Sequence, residues 1–298
     1  MASAKSWIKA ARLRTLPLAL SGIIIGSGVA MFFQQFNLII FILALLTATA
    51  LQVLSNFAND YGDFQKGTDN AQRVGPKRTL QGGEITIEEM QWGMGISIAV
   101  SILLGLALIV TSGISWQAIA SFAALGLLCL LAAYFYTAGS RSYGYVGLGD
   151  VSVFIFFGIV PVVALYYLYS HKIELSSLLP AITIGCFSTG VLNLNNMRDR
   201  ENDMASGKIT VASKLGETNA KFYHAALIII GWACALLFAL LHFTHWWQFL
   251  FCLSMPIFFK DLIRIFRTEE AAQLDPFLKK LSLATLLFAV LWMVGCGA

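Results

Sequence analysis

Charge is scarce in this chain: Asp, Glu, Lys and Arg make up only 12% of its 298 residues, against 58% hydrophobic, and mean hydropathy is +0.74. A soluble domain carries roughly a quarter charged residues, so a solvated globule is excluded and an integral membrane protein is expected. Proline is also rare, with six in the chain, and no Pro-rich or Gly/Ser-rich linker interrupts it. One domain over residues 1–298 is the expectation. The five cysteines stand singly in apolar runs, without C-x-x-C spacing, which excludes the common zinc frameworks and leaves them as small hydrophobes. Histidines are few, and His224, His242 and His245 lie near membrane borders with no carboxylate partner in sequence, so no catalytic task falls to them.

Long uncharged runs are what the chain does have. Residues 15–59, 90–140, 151–171, 175–197, 222–259 and 281–298 hold no Asp, Glu, Lys or Arg. At about 20 residues per crossing these runs contain two, two, one, one, two and one helices. The expected fold class is therefore all-α, a polytopic membrane protein of nine transmembrane helices around a central lipid-accessible cavity. Polar and aromatic breaks at residues 34–37, 111–116 and 242–247 mark the turns inside the double-length runs. The first 14 residues carry four positive charges, but no small-residue cleavage pattern follows the first apolar run. That run reads as a retained helix with a basic leader.

Nine crossings place the amino terminus and every second loop on one side. Nineteen of the 20 Lys and Arg residues fall on that side and only Lys172 on the other. By the positive-inside rule that face is cytoplasmic, and the expected location is the bacterial cytoplasmic (inner) membrane. The net charge of +4 follows from this topology and makes no case for nucleic acid.

Two acidic clusters break the pattern at helix ends on that face. Asn56, Asn59, Asp60 and Asp63 are spaced i, i+3, i+4 and i+7; Asn195, Asp199 and Asp203 are spaced i, i+4 and i+8, with Asn196 beside them. On continuing helices each set forms one polar stripe. Each stripe runs on into a basic, Gly-containing segment, Asp63-Phe-Gln-Lys-Gly-Thr-Asp69 and Asp203-Met-Ala-Ser-Gly-Lys-Ile-Thr210. The spacing between the clusters suggests two four-helix pseudo-repeats plus a ninth helix.

Carboxylates stacked on one helix face repel each other unless a cation joins them. Oxygen donors without His or Cys favour Mg²⁺, which shares its shell with substrate phosphates. Asp69, beyond Gly67, is a further candidate ligand. Lys66, Arg73, Lys77, Arg78, Arg198 and Lys208 lie around the clusters and are candidates to grip the phosphate oxygens left free. The bland alternative, ordinary carboxylates in a solvated loop, predicts no matched pair of stripes at corresponding helix ends. Glu84, Glu88 and Glu89 read instead as first-turn residues favoured by a helix dipole.

A diphosphate bound there would sit above apolar, aromatic helices able to bury a hydrocarbon tail in the surrounding lipid, each CH₂ contributing about 0.8 kcal/mol. A polyprenyl diphosphate fits both halves of such a site. Tyr134, Tyr136 and Tyr143 offer electron-rich faces for an allylic cation, or else anchor a helix end at headgroup level. A cation-coupled transporter is the rival from another class, although transporters bind near the midplane and the midplane here is uncharged. A CDP-alcohol phosphotransferase would need a D-G-x-x-A-R element that is absent.

The segments 56–69 and 195–203 resemble the two aspartate-rich motifs of the UbiA superfamily of intramembrane aromatic prenyltransferases. Three further stretches, Arg14-Thr-Leu-Pro17, Gly75-Pro-Lys-Arg78 and Tyr143-Gly-Tyr-Val-Gly-Leu-Gly-Asp150, are similar to the branch that prenylates 1,4-dihydroxy-2-naphthoate. The resemblance implies that two Mg²⁺ ions bind with the diphosphate, with Asn59, Asp63, Asn195, Asp199 and Asp203 as the shell and Asp60 and Asp69 as near neighbours. It implies diphosphate contacts from Arg198 and Lys208, and places Tyr136 against the allylic carbon. Where the 4-hydroxybenzoate branch has a lysine shortly after the tyrosine, this chain reads Tyr136-Thr-Ala-Gly-Ser-Arg141. That departure disfavours 4-hydroxybenzoate and makes Arg141, with Asn195, the candidate for the aromatic acid. Asp63 and Asp150 are candidates to accept a ring-hydroxyl proton.

Overall fold

The computed structural model describes residues 2–70, 74–139 and 142–298. Among them the chain is helical almost throughout, with no strand and a single isolated bridge between Val146 and Ile209. A short helix, α1 (Ala4–Ala10), precedes α2 (Leu16–Phe32), α3 (Leu38–Gln65), α4 (Ile87–Ser112) and α5 (Trp116–Phe135). The second half comprises α6 (Gly149–Ser170), α7 (Leu178–Arg198), the short α8 (Arg200–Ala205), α9 (Val211–Leu241), α10 (Met255–Phe266) and α11 (Asp275–Gly297).

Local chemistry explains the boundaries. Asn37 caps α3 by accepting hydrogen bonds from the Ile39 and Ile40 amides. Thr86 and Glu89 form a capping box at the start of α4, satisfying two amides that a helix end leaves unpaired. Glu88 and Glu89 thus occupy the first turn of α4, whereas Glu84 pairs with Lys9 across to α1. Gly113 ends α4 at φ 65° and Ser115 caps α5 two residues later.

Eight helical spans among the described residues are long and apolar enough to cross a membrane. The remaining expected crossing, the eighth in chain order, comes in two parts, a 3₁₀ segment Trp246–Ser254 followed directly by α10. At about 2.0 Å and 1.5 Å of rise per residue the two rise about 26 Å up to Phe259, where the uncharged run ends, a little short of a hydrocarbon core of about 30 Å. Two helices also reach further into the polar segments than charge counting allowed. Helix α3 continues through Asp63 to Gln65, and α9 begins at Val211 under a Thr210–Ser213 capping box, with a break at Gly216.

Close backbone approach holds the centre together. Helix α2 packs on α3, α6 and α11, and α7 packs on α6, α9 and α11. At the α6–α7 crossing a Cβ on Gly158 would lie 2.5 Å from the Gly185 Cα. Small residues permit such contact in membranes, where packing must replace the hydrophobic effect. Gly158→Val should therefore cost stability by about 1–3 kcal/mol or more, read as a lower thermal midpoint of the detergent-purified protein. Behind this crossing Phe187, Trp232, Phe251, Phe258, Phe288 and Trp292 form a buried aromatic cluster that fills the second half of the bundle.

Between the halves the packing opens. A cavity of about 450 Å³ is lined by residues of α2 to α7 and α11. Helix α5 buries none of its residues, and its Phe122, Leu125, Gly126 and Cys129 border the cavity. The polar end of this cavity is built from the two acidic clusters.

Candidate active site

Both clusters end in the same turn. Gly67 (φ 70°) and Gly207 (φ 73°) take the left-handed conformation that terminates a helix without a Cβ penalty. The amide one residue later then bonds back to the aspartate carbonyl: Thr68 N to Asp63 O at 3.0 Å, Lys208 N to Asp203 O at 2.8 Å. These turns redirect the chain so that Thr68, Asp69 and Lys208 return to the cavity wall.

The two rows face each other. Asn59, Asp63 and Asp69 from one side, and Asn195, Asn196, Asp199, Asn202 and Asp203 from the other, line one end of the same cavity. The Asn202 amide donates to Thr68 O at 3.0 Å, tying the second motif directly to the first. Lys208 is buried and lies 3.3 Å from Asp203 Oδ2. Burial alone would lower its pKa, but the carboxylates of Asp203, Asp63 and Asp199 together raise it. Burial pushes Asp203 up to about 6, against the opposing pull of Lys208 and with added repulsion from Asp199 and Asp63. Lys208 thus pairs with Asp203 beside the carboxylates of Asp63 and Asp199 on the same cavity wall.

The remaining described candidates occupy varied places. Asp60 is on α3 but turned out of the cavity, paired with Arg12 and Arg78 and accepting from Thr79 Oγ1 at 3.0 Å. Asn56 borders the cavity, yet its amide donates to Ala11 O at 2.8 Å and Thr15 Oγ1 at 2.9 Å, fastening α3 to the N-terminal segment. Arg198 does not line the cavity. Its buried guanidinium grips Asp199 through Nε at 2.9 Å and Nη2 at 2.6 Å, and also reaches Asn195 and Asp275. The second stripe is also broken: α7 stops at Arg198 and α8 starts at Arg200, with Asp199 between them. Lys66 bonds to Ser142 away from the cavity, and burial lowers its pKa. Lys77 borders a separate pocket of about 320 Å³, while Arg78 reaches both pockets. Arg73 and Arg141 lie outside the described residues.

Tyr136 and Tyr143 line the cavity and meet edge to face with centroids 5.4 Å apart. Burial first, then the Asp150 carboxylate, raise the Tyr136 pKa strongly, so the ring stays a neutral phenol. Tyr134 packs with the α3–α4 core instead. Asp150 is buried, accepts from the Tyr223 hydroxyl at 3.1 Å and does not line the cavity. Sequence reasoning missed Asn202, Asp275, Lys279 and Tyr145. Asn202 was legible, because it precedes Asp203 in the motif; the others needed the fold.

The donor set suits a hard cation. Every cavity-facing side chain of the two motifs presents oxygen, and the buried Asn202 Oδ1 accepts no hydrogen bond. Among the described residues no group of three His, Cys, Asp or Glu side chains is placed to hold a metal ion, so an ion bound here would need amide, water and substrate oxygens to complete its shell.

The structure is thus a polytopic helical membrane protein whose largely apolar cavity has an ionic, oxygen-lined end. The UbiA prenyltransferase family profile matches residues 16–294, and the chain belongs to that family. It is a multi-pass membrane prenyltransferase, which sets aside the transporter reading. A 1,4-dihydroxy-2-naphthoate octaprenyltransferase of Haemophilus influenzae is 42% identical over 98% of this chain and 95% of its own length. In fold, the apo UbiA homologue of Aeropyrum pernix aligns at TM-score 0.69 and 16% identity, covering 96% of this chain and 97% of that one. The Archaeoglobus fulgidus homologue bound to GPP and Mg²⁺ aligns at 0.61 and 14%, covering 96% and 99%.

Proposed function

We propose that this enzyme transfers a polyprenyl chain from polyprenyl diphosphate to 1,4-dihydroxy-2-naphthoate, releasing diphosphate and CO₂, with its polar site open to the cytoplasm. The observation that carries this reading is that Asp63, Asp199, Asp203 and Lys208 together line one largely apolar cavity, with the Lys208 ammonium 3.3 Å from Asp203. The similarity to curated naphthoate octaprenyltransferases supports the acceptor. The bias of 19 cations to one supports the orientation within a bacterial cytoplasmic membrane.

Asn59, Asp63, Asn195, Asp199, Asn202 and Asp203 fit Mg²⁺, with Asp69 beside them. Bound there, the metal supplies positive charge against the departing diphosphate. Lys208 and Arg78 line the cavity and hold phosphate oxygens by charge-assisted hydrogen bonds. The apolar walls from α4, α5 and α6 take the first part of the prenyl chain and exclude water, while Tyr136 and Tyr143 turn electron-rich faces toward the allylic carbon. Asn195 orients the acid.

The allylic C–O bond breaks with its electron pair leaving on diphosphate, and the ring carbon bearing the carboxylate forms the new C–C bond. Loss of CO₂ returns the electron pair to the ring. The product is a 2-prenyl-1,4-naphthoquinol, the reduced form of demethylmenaquinone. No ring proton has to be removed at that carbon; Asp150 does not line the cavity, so of the two candidates for a ring-hydroxyl proton Asp63 alone borders it.

The test is to supply purified protein with all-trans-octaprenyl diphosphate, Mg²⁺ and a panel of aromatic acids. The expected result is a decarboxylated product from the naphthoate with one CO₂ per turnover. A product that retains the carboxylate, or preferred turnover of 4-hydroxybenzoate, would overturn this assignment.

A further inference from the structure

We infer that Tyr145 is a positioning residue that sets the Asp63 carboxylate and the Lys208 ammonium in register across the two motifs. The inference rests on the proposed Mg²⁺–diphosphate site. Tyr145 does not line the cavity, so it touches no substrate and can act only through its neighbours. Its hydroxyl donates to Asp63 Oδ1 at 2.8 Å. With that single proton committed, the contact to Thr68 Oγ1 at 2.6 Å is one in which Thr68 donates. The hydroxyl is therefore fixed from two sides, and with it the rotation of the carboxylate.

The same residue is tied to the second motif. The Lys208 Nζ lies 5.7 Å from the Tyr145 ring centroid, with the Lys66 Nζ at 4.1 Å. The backbone amide of Ile209, next to Lys208, donates to Tyr145 O at 3.0 Å, and Val146 bridges Ile209. The loop itself is anchored at the end of α5. Gly144 N bonds to Tyr136 O at 3.0 Å, where a Cβ on Gly144 would come within 2.5 Å of that oxygen. One residue thus joins a carboxylate of the first motif and a cation of the second through its side chain, and its backbone ties the loop behind Tyr136 to the second motif. Partners behind metal ligands set the orientation in which those ligands meet the ion, and losing one typically weakens metal binding about 10–100-fold.

The test uses the full chain in detergent, with Mn²⁺ as a spectroscopic probe and geranyl thiolodiphosphate as an unreactive donor analogue. Tyr145→Phe keeps the ring and removes the hydroxyl. It should weaken Mn²⁺ binding about tenfold or more, raise the Mg²⁺ concentration for half-maximal rate in proportion, and leave the KM for the aromatic acid and the thermal midpoint unchanged. Tyr145→Leu removes the ring as well and should also weaken binding of the analogue. Thr68→Val removes the bond that fixes the hydroxyl together with an oxygen at the cavity wall; it should lose Mn²⁺ affinity by a smaller factor, while Thr68→Ser, which keeps the hydroxyl, should bind as wild type, and the pair reports on the same network if Tyr145→Phe fails to fold. Wild-type protein that binds Mn²⁺ with the analogue while both Tyr145→Phe and Thr68→Val bind it within twofold of wild type overturns the inference alone. Wild-type protein that binds no Mn²⁺ overturns the functional reading, and the inference with it.

Discussion

Asp63→Ala should reduce prenyl transfer by about three orders of magnitude, roughly 4 kcal/mol of transition-state stabilisation, while the protein remains folded in the membrane. The carboxylate faces the cavity and its direct hydrogen-bond partner is the Tyr145 hydroxyl, and after truncation the buried Lys208 ammonium keeps its contact with Asp203. Asp199 needs a gentler probe. Its carboxylate neutralises the buried Arg198 guanidinium, and removing one partner of a buried pair costs about 3–5 kcal/mol of stability. Asp199→Asn keeps the shape and part of the hydrogen bonding, and should give a comparable loss of activity with a smaller loss of thermal midpoint. Initial rates at saturating Mg²⁺, beside melting curves of the same preparations, check both. Near-normal turnover in Asp63→Ala would contradict the metal assignment.

Lys208→Met should separate two functions of the polar end in opposite directions. In the free protein the Lys208 ammonium supplies positive charge beside the carboxylates of Asp203, Asp63 and Asp199. Removing it leaves those carboxylates more repulsive and more eager for a cation. Mn²⁺ binding without substrate should therefore be as tight as in wild type or tighter. The donor loses a charge-assisted hydrogen bond worth about 1.5–3 kcal/mol, so the KM for polyprenyl diphosphate should rise by about 10–150-fold. A variant that loses Mn²⁺ and donor binding equally would assign Lys208 a purely structural role.

Much of this arrangement could be read before any coordinates. Uncharged runs are imposed by the lipid, so crossings and their orientation follow from composition and the placement of Lys and Arg. The acidic stripes were legible because a helix repeats every 3.6 residues. That same periodicity could not tell Asp60 from Asp63. The stripe at 56, 59, 60 and 63 is broad enough for one edge to meet Arg12 and Arg78 while the other meets the cavity, and Arg12 lies 48 positions away in sequence. Helix α7 was expected to run through Asp203. It breaks at Asp199, where the carboxylate turns back onto the adjacent Arg198 and Arg198 spans to Asp275 of α11. Tyr145 was invisible for a related reason: its partners Asp63, Thr68 and Lys208 come together only when three separate loops close on one another. The eighth expected crossing was read from hydropathy as one helix; the structure has a 3₁₀ segment and α10 there, and eight other spans among the described residues.

The central claim is that the two motifs share one ionic site. A double-mutant cycle on Mn²⁺ binding, in the presence of geranyl thiolodiphosphate, tests it most directly, with Asp63→Asn, Asp203→Asn and the double variant in the full chain. If both carboxylates act on a common metal–diphosphate assembly, the losses are strongly non-additive and the double variant binds about as weakly as the worse single one. Losses that simply multiply would mean that the two rows act independently, and would contradict the account.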